Sequence, residues 1–225
     1  MVCDRYAYLP SIGIFFIIGW ACGRIGDRAR GQAVRWKHLA LAAVSLYAMA
    51  FSVISFDRIK IWENSLVLFN DVLDRYPVAL MYYNRGNYRY ERRDFAEAME
   101  DYTRAIELDP DAFLAHYGRG NVRMVGKDYA GAAEDYSRVI TLNRDHMNAY
   151  LNRGAARMIQ KRYPEAIADF TEALRLAPGN AAVYLNRGWS RWDMSDQGAA
   201  CSDWRKALDL GAQEAAAILQ KNCTK

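Results

Sequence analysis

The chain has 225 residues, 52% of them hydrophobic and 25% charged, with a formal net charge of +4. That balance supports a buried core, argues against a disordered chain, and leaves room for one or two domains. The charge is spread out and no basic block is long enough to follow a phosphate backbone, so no nucleic-acid partner is expected.

In chain order, the first 56 residues are much more apolar than the rest. Residues 6–23, YAYLPSIGIFFIIGWACG, carry no charge, and residues 38–56, HLALAAVSLYAMAFSVISF, carry only His38 at their edge. Each approaches the ~20 residues a helix needs to cross a hydrocarbon core of ~30 Å. We therefore expect a two-span membrane hairpin over residues 1–59, with the first span kinked at Pro10 and the lipid bilayer as a partner. A signal peptide fits less well, because Asp4 cancels Arg5 where a basic leader is required. Gly19 and Gly23 form a GxxxG at the span's edge, a weak mark of helix packing and of other membrane subunits as partners. The intervening loop holds Arg24, Arg28, Arg30, Arg35 and Lys37 against one acid, Asp27. Short loops rich in Lys and Arg stay in the cytoplasm, so everything after residue 56 is expected on the extracytoplasmic side: periplasm, exterior or lumen. Trp20 and Trp36 sit where interfacial anchors belong.

Beyond the hairpin the chain repeats. Gly86, Gly120, Gly154 and Gly188 follow one another at steps of 34 residues. The same step carries Ala98 to Ala132, Ala166 and Ala200, and Tyr102 to Tyr136, Phe170 and Trp204. Small residues at two contact points let antiparallel helices approach, the aromatic fills the space beside them, and Pro110 and Pro178 stop the second helix. This pattern resembles the tetratricopeptide repeat (TPR) family, which implies an all-α helix-turn-helix solenoid. The expected units are a half-repeat and junction helix at 60–78, full repeats at 79–112, 113–146, 147–180 and 181–211, and a capping helix with its tail at 212–225.

The hairpin has a resemblance of its own. DRYAYLPSIGIFF, then a basic loop, a second span and TPR repeats, is similar to the C-terminal portion of multi-pass membrane proteins related to lumenal O-mannosyltransferases. Those relatives keep their catalytic acids in an early lumenal loop, for which this sequence has no counterpart. The resemblance implies either a fragment of such a glycosyltransferase or a relative that retains only the repeat-bearing end.

Two sets of repeat residues could hold a ligand. Where the family usually places leucine and a large apolar residue on the first helix, this chain has Arg85 and Arg89, Arg119 and Arg123, Arg153 and Arg157, and Arg187 and Arg191. They could bind an acidic or phosphorylated partner. The structural alternative is an ion-pair ladder with Asp101, Asp135, Asp169 and Asp203, which recur in the same register on the second helices. The resemblance makes the concave face of the first helices the better ligand site. There lie Tyr83, Asn84, Asn87 and Tyr90; Tyr117, Asn121 and Met124; Leu151, Asn152 and Met158; and Asn186, Trp189 and Trp192. Amides pair with an extended peptide backbone and aromatics hold its side chains, so a protein or peptide ligand is expected. The alternative for some of these residues is packing between repeats. Asn121 and Asn152 match positions at which chaperone-binding relatives hold a terminal carboxylate, but Tyr117, Ala182 and Asn186 replace the basic partners of that clamp.

Neither an enzyme nor a cofactor is suggested. His38, His116 and His146 lack partners at metal-ligand spacing, and no nucleophile elbow, phosphate loop or HExxH occurs, so no metal and no catalytic residue is assigned. Cys201 and Cys223 flank Gly211 almost symmetrically, and antiparallel helices would bring them side by side. They are expected as a disulfide in an oxidising space, with a plain buried thiol at Cys201 as the alternative. Asn222-Cys223-Thr224 is a glycosylation sequon that matters only in a eukaryotic lumen.

Overall fold

The computed structural model describes residues 42–49 and 65–223. The chain divides into two compact units, residues 1–64 and 65–225. Of the first, residues 42–49 are helical, with Leu46, Tyr47 and Met49 exposed. The rest of both expected spans, residues 6–23 and 38–56, lies outside the described residues. Among the described residues no helix is long and apolar enough to cross a membrane.

The second unit is an all-α solenoid of ten helices: α1 (Ser65–Arg75), α2 (Ala79–Glu91), α3 (Phe95–Leu108), α4 (Phe113–Val125), α5 (Tyr129–Leu142), α6 (Met147–Ile159), α7 (Tyr163–Leu176), α8 (Ala181–Asp193), α9 (Gln197–Asp209) and α10 (Glu214–Asn222). Each helix packs on the next in sequence, and the first helices of neighbouring repeats also meet, α2 with α4 and α6 with α8. The chain therefore advances by one antiparallel pair per repeat, with α1 before the first pair and α10 after the last.

Local chemistry sets these boundaries. The residue before Pro110 and Pro178 cannot easily stay helical, and Asp109 and Ala177 leave the helix with φ of −140° and −139°. Asp128, Asn180 and Asp196 cap the helices that follow them, each side-chain oxygen accepting from a backbone N–H three residues on. The turns within each pair place Arg93, Lys127, Lys161 and Ser195 at φ of 67°, 63°, 61° and 64°, a left-handed conformation that glycine adopts most easily.

The core is a row of aromatics on the second helices, Tyr102, Tyr136, Phe170 and Trp204, all but fully buried. Glycines make room for them. A Cβ on Gly120 would lie 2.8 Å from Tyr136, and one on Gly154 would lie 2.7 Å from Phe170. Tyr102 is clasped from both sides, by Gly86 of its own repeat and by Gly118 of the next. Gly118 has no counterpart in the other repeats, where its position is asparagine. At the C-terminal end, Ile218, Leu219 and Cys223 of α10 and its border pack against Ala200, Cys201 and Trp204. A disulfide joins Cys201 to Cys223, with Cα atoms 5.9 Å apart.

Candidate ligand groove and the arginine ladder

The eight arginines and four aspartates form four similar rungs. Arg85, Arg119, Arg153 and Arg187 each approach the aspartate of their own repeat through Nε and Nη2, with Nη2 to carboxylate distances of 2.6, 2.8, 2.6 and 2.8 Å. The second arginine of each repeat approaches the same carboxylate through Nη1: Arg89 at 2.8 Å, Arg123 at 2.9 Å, Arg157 at 2.7 Å and Arg191 at 2.8 Å. Asp101, Asp135, Asp169 and Asp203 are all buried, so each carboxylate has exchanged water for two guanidinium groups.

The ladder also ties repeats together, which sequence spacing alone had not revealed. The free arm of Arg85 donates to Asn70 on α1, that of Arg153 to Ser137 on α5, and that of Arg187 to Thr171 on α7. The same guanidinium groups lie 5.4 to 5.6 Å from the ring centres of Tyr82, Tyr150 and Tyr184, one turn earlier. In the second repeat the equivalent residue is His116. It is buried, with Nδ1 3.3 Å from Asp135 and Nε2 3.1 Å from the Pro110 carbonyl. Burial works to raise the Asp135 pKa, but hydrogen bonds from His116 and Arg119 and the charges of Arg119 and Arg123 outweigh it and hold the carboxyl below its ordinary value.

On the first helices, the expected groove residues divide by what they touch. Tyr83 and Tyr90 pack against the Ala98–Tyr102 cluster, Leu151 and Met158 against the Phe170 cluster, and Trp192 against the Trp204 cluster. These five are partly committed to packing between helices. Asn84, Met124 and Asn186 are half-buried on the same face. Trp189 is 38% exposed although its ring stands edge-on to Trp204 with centroids 4.9 Å apart.

The other amides are held by hydroxyl groups. Tyr102 donates to Asn87 Oδ1 at 2.7 Å, and Tyr136 donates to Asn121 Oδ1 at 2.8 Å. Asn152 Nδ2 donates to Tyr117 Oη at 3.1 Å and to Asn121 Oδ1 at 3.2 Å, bridging α4 and α6. Burial raises the pKa of Tyr102, Tyr117 and Tyr136, so these hydroxyls stay neutral at physiological pH, Tyr102 and Tyr136 as donors and Tyr117 as the acceptor from Asn152. The two Tyr–Asn pairs had a sequence signal that went unused. Where the core aromatic is Phe170 and offers no hydroxyl, the residue at the asparagine's position is Ala155; where it is Trp204, that residue is Trp189. His146 contributes differently: its Nδ1 accepts from the Ala149 N–H and caps α6, and burial lowers its pKa, keeping that nitrogen free to accept.

The tetratricopeptide repeat family profile matches residues 68–113, 83–145 and 126–181. The chain belongs to the tetratricopeptide repeat family. Among solved structures it is similar to MamA 41-end from Desulfovibrio magneticus RS-1, at 20% identity and a TM-score of 0.62, covering 74% of this chain and 93% of that one. It is also similar to the first TPR of Spaghetti (RPAP3) bound to the HSP90 peptide SRMEEVD, at 27% identity and a TM-score of 0.51, covering 52% and 93%. The Arabidopsis OM64 TPR domain is 28% identical, with a TM-score of 0.50 and coverage of 52% and 96%. The MamA likeness carries the fold alone. No curated protein sequence matches the chain.

Proposed function

We propose that this chain is a membrane-anchored TPR interaction scaffold that holds extended peptide segments in the groove of its first helices, on the extracytoplasmic side. The observation that carries the peptide reading is the composition of that face. Amides with their carbonyls held by tyrosines alternate with aromatics, Trp189 is 38% exposed, and no lysine or arginine stands at any of the groove positions. The Spaghetti TPR, which shares the fold, was solved with a bound HSP90 peptide. The arginines are spent on their own aspartates, which weakens the alternative of a phosphate-binding ladder.

Membrane anchoring rests on the uncharged stretches at 6–23 and 38–56 and on the exposed Leu46 and Met49 of the helical residues 42–49. The extracytoplasmic side rests on the basic loop at 24–37, and the Cys201–Cys223 disulfide suits an oxidising compartment. A second reading, the repeat-bearing end of an O-mannosyltransferase-like membrane enzyme, rests on DRYAYLPSIGIFF and on the basic loop, second apolar stretch and repeats that follow it. Genomic sequence upstream that continues into further spans with an acidic lumenal loop would favour it.

Two measurements test the main reading. Peptide arrays probed with the full-length chain should retain ligands at micromolar affinity, roughly −8 kcal/mol, and Trp189→Ala should change which peptides are preferred. Retention that ignores Trp189→Ala but disappears with Arg119→Ala in a folded protein would move the site to the ladder. Protease added outside intact spheroplasts should digest the repeats; protection of the repeats with cleavage at 24–37 would reverse the orientation.

A further inference from the structure

The turns that join one repeat to the next lie along one edge of the solenoid, and the first two differ from the rest. Tyr76 and Val78 in the α1–α2 turn, Leu80 just beyond it, and Leu108 and Leu114 on either side of the α3–α4 turn are all exposed, Tyr76 by 67% and Leu80 by 59%. Leu80 and Leu114 hold the same position one repeat apart, on two helices that touch, α2 and α4. The next two first helices carry Asn148 and Ala182 there, so the exposed leucines are confined to the N-terminal half. Large apolar side chains grouped in water mark a contact surface.

Helix capping points the same way. α6 and α8 open on His146 and Asn180, whose side chains accept from a backbone N–H. The corresponding residues before α2 and α4 are Val78 and Ala112, which have no side-chain acceptor, and neither helix is capped by a side chain. Val78 already has the extended backbone of a capping residue, with φ of −115° and ψ of 143°, so asparagine would fit there. The chain forgoes a cap at the place where it exposes an apolar side chain, the reverse of what stability alone favours.

Charge and spacing narrow the partner. Among the described residues flanking these two turns, Arg75, Arg104 and Arg138 are each paired with an acid of the same chain, Asp71, Glu107 and Asp111. Asp74 and Asp109 are exposed and have no ion-pair partner among the described residues; Asp109 accepts only the Asp111 N–H. The rim is therefore acidic. It would repel an anionic membrane surface, and a second copy docked through the same patch would set these acids against their own kind. Packed neighbouring helices lie about 8–10 Å apart, so Leu80 and Leu114 stand at a spacing close to two turns of an α-helix, ~11 Å. We propose that the first two inter-repeat turns form a second docking edge, separate from the groove, which takes an amphipathic helix of a partner protein with basic residues beside its apolar stripe. Leu80 and Leu114 receive the stripe, and Asp74 and Asp109 select the basic flank.

The probe is a fluorescent synthetic helix with leucines at i, i+3, i+4 and i+7 and lysines beside them, titrated into the full-length chain alongside a second helix in which glutamate replaces lysine. The lysine helix should bind with micromolar affinity that falls as salt rises, and the glutamate helix about tenfold more weakly. Leu80→Ser combined with Leu114→Ser should weaken the lysine helix about tenfold. Asp74→Asn combined with Asp109→Asn should weaken it several-fold and flatten the salt dependence, while Leu210→Ser, at the same edge of the last repeat, should do neither. Val78→Asn should raise the melting temperature by about 2–4 °C and yet lower affinity. A benzophenone side chain in place of Leu114 should crosslink to the lysine helix. Equal binding of the two probe helices, or a lysine helix indifferent to either pair of substitutions, would overturn the proposal. So would crosslinks that run to lipid, to residues 1–64 of the same chain or to a second copy, since each names a different occupant. The edge shares no residue with the groove, so its failure leaves the peptide reading standing.

Discussion

Asp135 illustrates how much one side chain carries in this molecule. Its pKa lies below the ordinary 3.8, so the ionised form is favoured in the folded state relative to the unfolded one. The stabilisation it provides is fully present above about pH 4 and is lost as pH falls through the lower, folded value. Asp135→Asn should therefore be less stable at neutral pH, by about 3 kcal/mol, because it leaves Arg119, Arg123 and His116 facing a neutral amide. The gap between variant and parent should narrow below pH 4 in thermal melts; a constant gap would mean that the carboxylate is not the titrating group. Arg93, Lys127, Lys161 and Ser195 make the opposite case, since each sits in the left-handed region without being glycine. Replacing Lys127 and Lys161 with glycine should stabilise the protein by roughly 0.5–1 kcal/mol each, measured by urea unfolding, because the strain of a Cβ in that conformation disappears. The ladder residues and the repeat glycines were legible in the sequence because they recur in register. Gly118 and His116 were not, since each occurs in a single repeat and acquires its partner only when two helices pack.

At the scale of the helix pair, packing is decided by how closely α6 approaches α7. Gly154 abuts the ring of Phe170, which is fully buried. Gly154→Ala should destabilise the protein by about 1–3 kcal/mol, since a methyl group 2.7 Å from a ring carbon forces the helices apart. Combining it with Phe170→Leu, which shortens the side chain at that contact, should cost less than the sum of the two single changes. Simple additivity in denaturant titrations would show that the glycine serves something other than the aromatic. The second helices open at Phe95, Tyr129, Tyr163 and Gln197, each 34 residues after the last, and Pro110 and Pro178 follow two of them closely. Which first-helix side chains remain available to a ligand could not be read from spacing. Tyr83, Leu151 and Trp192 share that face with Trp189 yet are drawn into the clusters beneath it.

Across the whole solenoid, stability is a sum of repeats and the contacts between neighbours, so damage at one end stays near that end. The Cys201–Cys223 bond closes a separation of 22 residues and holds α10 over Trp204. Reduction should cost about 3 kcal/mol. Hydrogen exchange should then speed up first in α9 and α10 while α2 to α5 keep their protection; uniform loss along the chain would argue for a single cooperative unit. The sequence by itself determined the repeat, its period and the all-α solenoid, because a 34-residue recurrence of small and aromatic residues can bury its hydrophobic faces only by stacking. It also placed the arginines and aspartates in one register, which left an ion-pair ladder and a site for an acidic ligand both open. Only the tertiary structure decided which groups those residues bridge and what holds the groove amides. Those outcomes depend on contacts between repeats, where Asn121 meets Asn152, Arg153 meets Ser137 and Gly118 meets Tyr102, and no spacing within a single repeat specifies such a contact.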